Sequence, residues 1–211
     1  MNEKSRNGRL SGEKTLAKKE KAIIKFLLEE YTQCFNQMRH YDNIRISLMA
    51  FAFSFYASVG TAAFAIYQFF SEEKLSDSQR FLSLLSLFVF SIGLIIVFML
   101  AKNRRYFVLV ARQINGIRNT FFPKEWSDFK FRNFLPTDPD KPRKFDLKST
   151  HLLSISLLSL LNSFAMFSAI YFLTSHLKIE NQLWMALLCC LAAFISQLLY
   201  VKIVLKENNN T

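Results

Sequence analysis

The sequence predicts an all-α membrane protein with four transmembrane helices, both termini cytoplasmic, an amphipathic N-terminal helix and a cytoplasmic extension of the second span. Three observations lead there: four long stretches without a charged residue, a lopsided distribution of Lys and Arg, and apolar residues at helical spacing beside the spans. The charge-free stretches are 46–70, 81–101, 152–174 and 183–201, of 25, 21, 23 and 19 residues. At about 1.5 Å of rise per residue, each is long enough to cross a hydrocarbon core of roughly 30 Å. One such stretch would fit the interior of a large soluble protein, but four in 211 residues leave too little chain to cover them.

Lys and Arg are retained on the cytoplasmic side of a bacterial-type membrane, so their positions set the orientation. Residues 1–45 carry ten, 102–151 twelve and the tail after 201 two, which is 24 of the 27; the links near Lys74 and Lys178 hold the other three. Acidic residues divide 12 to 4 between the same sides, so the expected cytoplasmic net is 24 minus 12, or +12. The order is then a basic arm over 1–43, a first hairpin over 44–101, a basic and aromatic segment over 102–150, a second hairpin over 151–205 and a tail over 206–211. The first 43 residues hold no apolar core, so no cleavable signal peptide is expected and the first span should stay as an anchor. A bias to Phe, Ile, Lys and Asn is compatible with an AT-rich bacterial gene, and the expected location is the bacterial inner membrane.

In the arm, Leu16, Ile23, Leu27, Tyr31, Cys34 and Met38 fall on one helical face, with Lys14, Lys18, Lys21 and Lys25 on another. Such a helix either packs on the protein's own cytoplasmic helices or lies on anionic lipid. Residues 1–12, with Gly8 and Gly12, are expected to be disordered.

In the first span Ser47, Ser54, Ser58 and Thr61 follow intervals of seven, four and three, and Ala65 continues the stripe. Small residues let helices approach closely and hydroxyls bond the carbonyl four residues back. The same stripe, repeated from several subunits, would make a neutral pore wall. The link expected over 71–80 is too short for a receptor domain.

No helix breaker follows the second span, so its helix is expected to continue to residue 122, where Pro123 stops it. Phe107, Val110, Ile114, Ile117 and Phe121 share one side. Arg105, Arg112 and Asn119 align within about 40° on the other, flanked by Arg104, Asn115 and Arg118. No acidic residue lies between Asp77 and Arg118, so these arginines have no carboxylate neighbour on the helix. The stripe is a solvated face that enforces topology, or an anion site.

Residues 124–149 hold Pro136, Pro139 and Pro142, which forbid a long helix. The run Trp126, Phe129, Lys130, Phe131, Arg132 and Phe134 alternates aromatic and basic residues, which suits stacking on bases as well as an interfacial belt.

The third span places Ser156, Ser159 and Ser163 on one face and Asn162 near the midplane, where the amide needs a partner on a neighbouring helix or faces a pore. Gln197, near the end of the fourth span, reads as an end anchor. Cys34, Cys189 and Cys190 lack zinc spacing and read as packing residues.

No span contains Asp, Glu, Lys or Arg, which argues against proton-coupled transport. His40, His151 and His176 sit at or outside span ends, and no HExxH, GxSxG or Gly-rich phosphate loop occurs. No enzyme activity, metal or cofactor is expected. Four helices filled by side chains leave no internal water path, so conduction requires a symmetric homo-oligomer.

The stretch 41–122, with its acid-poor second span ending in Arg104, Arg105 and Tyr106 and continuing to Arg112, Asn115 and Arg118, resembles small membrane effectors of bacterial antiphage defence systems, the Hailong-type channel effector among them. That resemblance implies an ion channel or pore gated by a nucleotide or single-stranded oligonucleotide, made by a nucleotidyltransferase-type sensor partner. Arg104, Arg105, Arg112, Asn115, Arg118, Trp126, Lys130 and Arg132 would then be ligand-binding, and Ser47, Ser54, Ser58, Thr61 and Asn162 pore-lining. A membrane-anchored scaffold that recruits a soluble protein is the alternative, with membrane lipid a partner in both.

Overall fold

The structure is a computed structural model that describes residues 3–69, 75–121 and 138–206. The described residues form four α-helices, α1 Glu3–Phe69, α2 Leu75–Phe121, α3 Thr150–His176 and α4 Gln182–Val204. All four are long and apolar enough to cross a membrane, so the chain has the architecture of a multi-pass membrane protein.

α1 holds 67 residues and α2 47, each far beyond the roughly 20 that a bilayer needs. α2 is helical through to Phe121, the last described residue ahead of Pro123. Two boundaries differ from expectation. α1 is already helical from Glu3, so within the stretch 1–12 expected to be disordered the described residues 3–12 are helical: propagating an existing helix adds one hydrogen bond per residue, and two glycines at about 1 kcal/mol each do not stop it. α2 begins at Leu75 rather than near 81, and Asp77 in its first turn faces the positive end of the helix dipole.

The chain divides into two compact units, Met1–His40 with Leu109–Lys141, and Tyr41–Val108 with Pro142–Thr211. In the first, Cys34 is buried on α1, Leu27, Tyr31 and Met38 are half-buried on the same face, and Ile23 is exposed. Val110, Ile114 and Ile117 are buried on α2, with Phe121 half-buried beside them. The arm's apolar stripe is therefore used for packing inside the protein over its last three turns. Arg118 Nη2 donates to the Tyr31 hydroxyl at 3.2 Å with its guanidinium over the ring, and Gln113 Nε2 donates to Glu30 Oε1 at 2.6 Å.

The second unit is centred on Ala52 of α1, Ile96, Val97 and Leu100 of α2, Leu152, Ile155 and Leu158 of α3, and Val201 of α4. Its outward faces carry large apolar side chains, among them Phe88, Ile95, Trp184 and Leu188, the last 65% exposed. Polar side chains are inside: Asn162 is 0% exposed and Gln197 3%. Apolar outside with polar inside is the arrangement that a lipid solvent favours, because hydrocarbon does not solvate an amide.

α3 starts at Ser149, whose hydroxyl accepts from the Leu152 amide at 3.2 Å. It ends in a Schellman turn, where the Ile179 amide donates to the Thr174 carbonyl at 3.0 Å and the Lys178 amide to that of Ser175 at 3.1 Å. Lys178 adopts φ 53°, the left-handed position usually given to glycine, and Asn181 does so at φ 61° to open α4. The second hairpin is thus closed by two left-handed residues within four positions.

Candidate functional site

A polar node lies inside the second unit and draws on all four helices. The Tyr56 hydroxyl of α1 donates to Asn162 Oδ1 of α3 at 3.0 Å, and Asn162 Nδ2 donates to Gln197 Oε1 of α4 at 3.2 Å. Gln197 Nε2 in turn donates to Ser163 Oγ at 3.3 Å and to the Ala193 carbonyl at 3.1 Å. Ser163 Oγ donates to the Ser159 carbonyl at 2.8 Å, while the buried Ser159 hydroxyl has no partner. Gly93 is the contribution of α2: a Cβ there would overlap Asn162 Oδ1 and the Tyr56 hydroxyl. The chain Tyr56, Asn162, Gln197, Ser163 satisfies both ends of each amide, which is what low-dielectric burial demands.

Asn162, expected to face a pore or a neighbouring helix, has its side chain fully enclosed, with Oδ1 and Nδ2 bonded to Tyr56 and Gln197 of neighbouring helices. Gln197 is a buried network member rather than an end anchor. Ser47, Ser54, Ser58 and Thr61 are exposed together on the outer side of α1. Ser58 Oγ donates to the Ser54 carbonyl at 2.8 Å and Thr61 Oγ1 to that of Ala57 at 2.9 Å.

The expected anion stripe on α2 is divided between the two units, and most of it is already engaged. Arg104, 2% exposed, donates from Nη2 to the Arg143 carbonyl at 2.9 Å and from Nε to that of Lys144 at 3.3 Å. Burial pulls its guanidinium below the ordinary arginine range, with Asp146 acting in the opposite direction. In the first unit, Asn115 is buried and its Nδ2 donates to the Asp138 and Lys141 carbonyls at 3.1 and 2.8 Å. Arg118 meets Tyr31, and Arg112 is half-buried with an interaction of its own. The absence of acids on α2 thus does not leave these side chains open: Arg104 and Asn115 instead hold the backbone of 138–144. Backbone carbonyls carry no signature in a sequence, so that role was hidden. Trp126, Lys130 and Arg132 lie outside the described residues.

Arg105 is the exception in this group. It is exposed and lines a cleft of about 320 Å³ together with Lys102, Lys144 and Lys206. Phe98, Tyr200, Ile203 and Val204 form the apolar part of the same wall. The Phe98 and Tyr200 rings stack at 5.7 Å, and Lys102 Nζ sits 4.6 Å from the Phe98 centroid. Lys144 and Lys206 were not singled out from sequence, since Lys144 lies 39 residues beyond Arg105 and Lys206 a further 62 beyond Lys144.

Elsewhere in the second unit, His151 Nε2 lies 3.5 Å from Asp42 Oδ1, and Arg45 reaches both Asp42 Oδ1 and Ser154 Oγ, joining α1 to α3. No group of His, Cys, Asp and Glu among the described residues is arranged to hold a metal ion.

Fold and site together define a four-helix multi-pass membrane protein with a polar interior and a cationic cleft. Comparison with protein families, curated proteins and solved structures finds no match for the chain.

Proposed function

We propose that the protein is a homo-oligomeric ion channel of the bacterial inner membrane, with both termini cytoplasmic, controlled by a nucleotide or oligonucleotide anion on the cytoplasmic side. The observation that carries this reading is the outward placement of Ser47, Ser54, Ser58 and Thr61. The interior of one subunit is closed by packed side chains, so a water path has to lie between subunits. This stripe is the part of α1's surface best suited to line one. Ser58 and Thr61 spend their protons on their own helix, which leaves oxygen lone pairs to face water or a cation. Control by a nucleotide or oligonucleotide follows from the resemblance of 41–122 to defence effectors, not from a particular cleft. A role in antiphage defence, with a nucleotidyltransferase-type partner, rests on the resemblance of 41–122 to defence effectors.

A second reading, a membrane-anchored scaffold for a soluble protein, is favoured by the exposed Ile23, Phe26 and Leu28 of α1.

The test is planar-bilayer recording in a background with Cys34, Cys189 and Cys190 replaced by Ser, carrying Ser54→Cys, Ser58→Cys or, as a lipid-facing control, Phe88→Cys. Discrete currents that a charged thiol reagent reduces at 54 and 58 but not at 88, and that change with added nucleotide or oligonucleotide, are expected. Assembled protein that never conducts, or equal reagent effects at all three positions, refutes the channel and favours the scaffold.

A further inference from the structure

The cleft between the middle of α2 and the C-terminal end of α4 has a composition that selects its occupant. Among the described residues that line it, Lys102, Arg105 and Lys206 are exposed cations and none is acidic, while Lys144 is buried and has an interaction of its own. Like charges gathered on one wall repel one another and attract an anion. The remaining wall is apolar and partly aromatic, and the two kinds of residue are segregated along the helices. Phe98 falls in the last turn of the charge-free stretch 81–101, and Lys102 and Arg105 follow it at once. Tyr200 closes the stretch 183–201 in the same way, with Lys206 beyond it.

The cleft therefore sits where two spanning helices leave hydrocarbon, which is where aromatic and basic side chains meet lipid headgroups. Next to it, Leu199 and Ile203 are exposed on the outer face of α4, so acyl chains have an apolar surface to follow. A soluble phosphate compound would use the cations but leave Ile203 and Val204 unsolvated. A glycerophospholipid uses both.

We infer that this cleft is a seat for an anionic membrane phospholipid, its phosphate held by Lys102, Arg105 and Lys206 and its glycerol end laid against Tyr200, Ile203 and Val204. Such a lipid bridges α2 and α4. The inference does not rest on conduction, because binding is read without any current.

The experiment is native mass spectrometry and thermal unfolding of the intact protein in micelles, with phosphatidylglycerol or cardiolipin added. Phosphatidylcholine is the zwitterionic control, and inorganic phosphate and AMP are the soluble anions. Retained anionic lipid and a raised unfolding temperature are expected, with neither effect from phosphatidylcholine. Each cation near a membrane surface contributes about 1 kcal/mol, or about fivefold in affinity. Lys102→Gln with Lys206→Gln should therefore weaken binding roughly 25-fold. Arg105→Gln, carried alongside in case the double variant misfolds, should weaken it about fivefold, whereas Lys21→Gln with Lys25→Gln should change nothing. Equal retention of phosphatidylcholine, or wild-type affinity in the cleft variants, overturns the assignment. Equal stabilisation by phosphate or AMP also overturns it, and gives the cleft to a soluble anion instead.

Discussion

Gly93→Ala introduces one methyl group at the point where α2 faces the polar node, and its cost can be worked out from the neighbours. The added Cβ would overlap Asn162 Oδ1 and the Tyr56 hydroxyl, so the two side chains must part and their 3.0 Å hydrogen bond is lost. Overpacking a close-packed interior costs about 1–3 kcal/mol, and an interhelical hydrogen bond in a membrane protein contributes about 0.6 kcal/mol, at most about 1.7. Ala is the better helix former by about 1 kcal/mol, which offsets part of this. The expected net destabilisation is about 1–3 kcal/mol. Asn162→Ala removes one obstacle and Tyr56→Phe the other, so the same Gly93→Ala change should cost less than about 0.5 kcal/mol when both are present. Reversible SDS-driven unfolding in mixed micelles, followed by far-UV circular dichroism, measures the cycle. A cost that is the same in every background, or within about 0.5 kcal/mol of zero in the wild type, refutes the close approach of α2 to Tyr56 and Asn162.

Two further substitutions separate structural from accessible cations, and one thiol reports on the first unit. Arg104→Met leaves the Arg143 and Lys144 carbonyls without their donor and should cost about 2–4 kcal/mol, while Arg105→Met, at an exposed position, should stay within about 0.5 kcal/mol in the same unfolding assay. Cys34 is buried, and burial together with the nearby Glu30 carboxylate pushes its thiol pKa up. Mass-spectrometric labelling with maleimide at neutral pH should thus be slow at Cys34, and should become fast on unfolding in SDS. Rapid labelling of the folded protein would contradict the packing of α1 in that unit.

The number and extent of the membrane-competent helices were legible because they depend on local properties. A run of 19 to 25 residues without charge is a statement about each residue's transfer into hydrocarbon, and no partner is needed to make it. The helical continuation of α2 to Phe121 was legible for the same reason, since no proline interrupts 102–121. The apolar side of that continuation, Val110, Ile114 and Ile117, followed from a 3.6-residue period.

Partner choice was not legible, and there the sequence misleads. An arginine without a nearby acid reads as open, yet Arg104 is held by two carbonyls, a kind of acceptor that every residue supplies. Asn162 and Gln197 each announced an amide in an apolar run, but only the packing of four helices decides that the two meet each other and Tyr56. What each segment can be dissolved in is written in its own residues. Which polar groups face one another, and that Lys102, Arg105 and Lys206 share a cleft, follows only from how the helices pack. Hydrogen bonds and like-charge clusters are made between residues 35 to 106 positions apart, and at that separation they depend on helix rotation and close approach at residues such as Gly93.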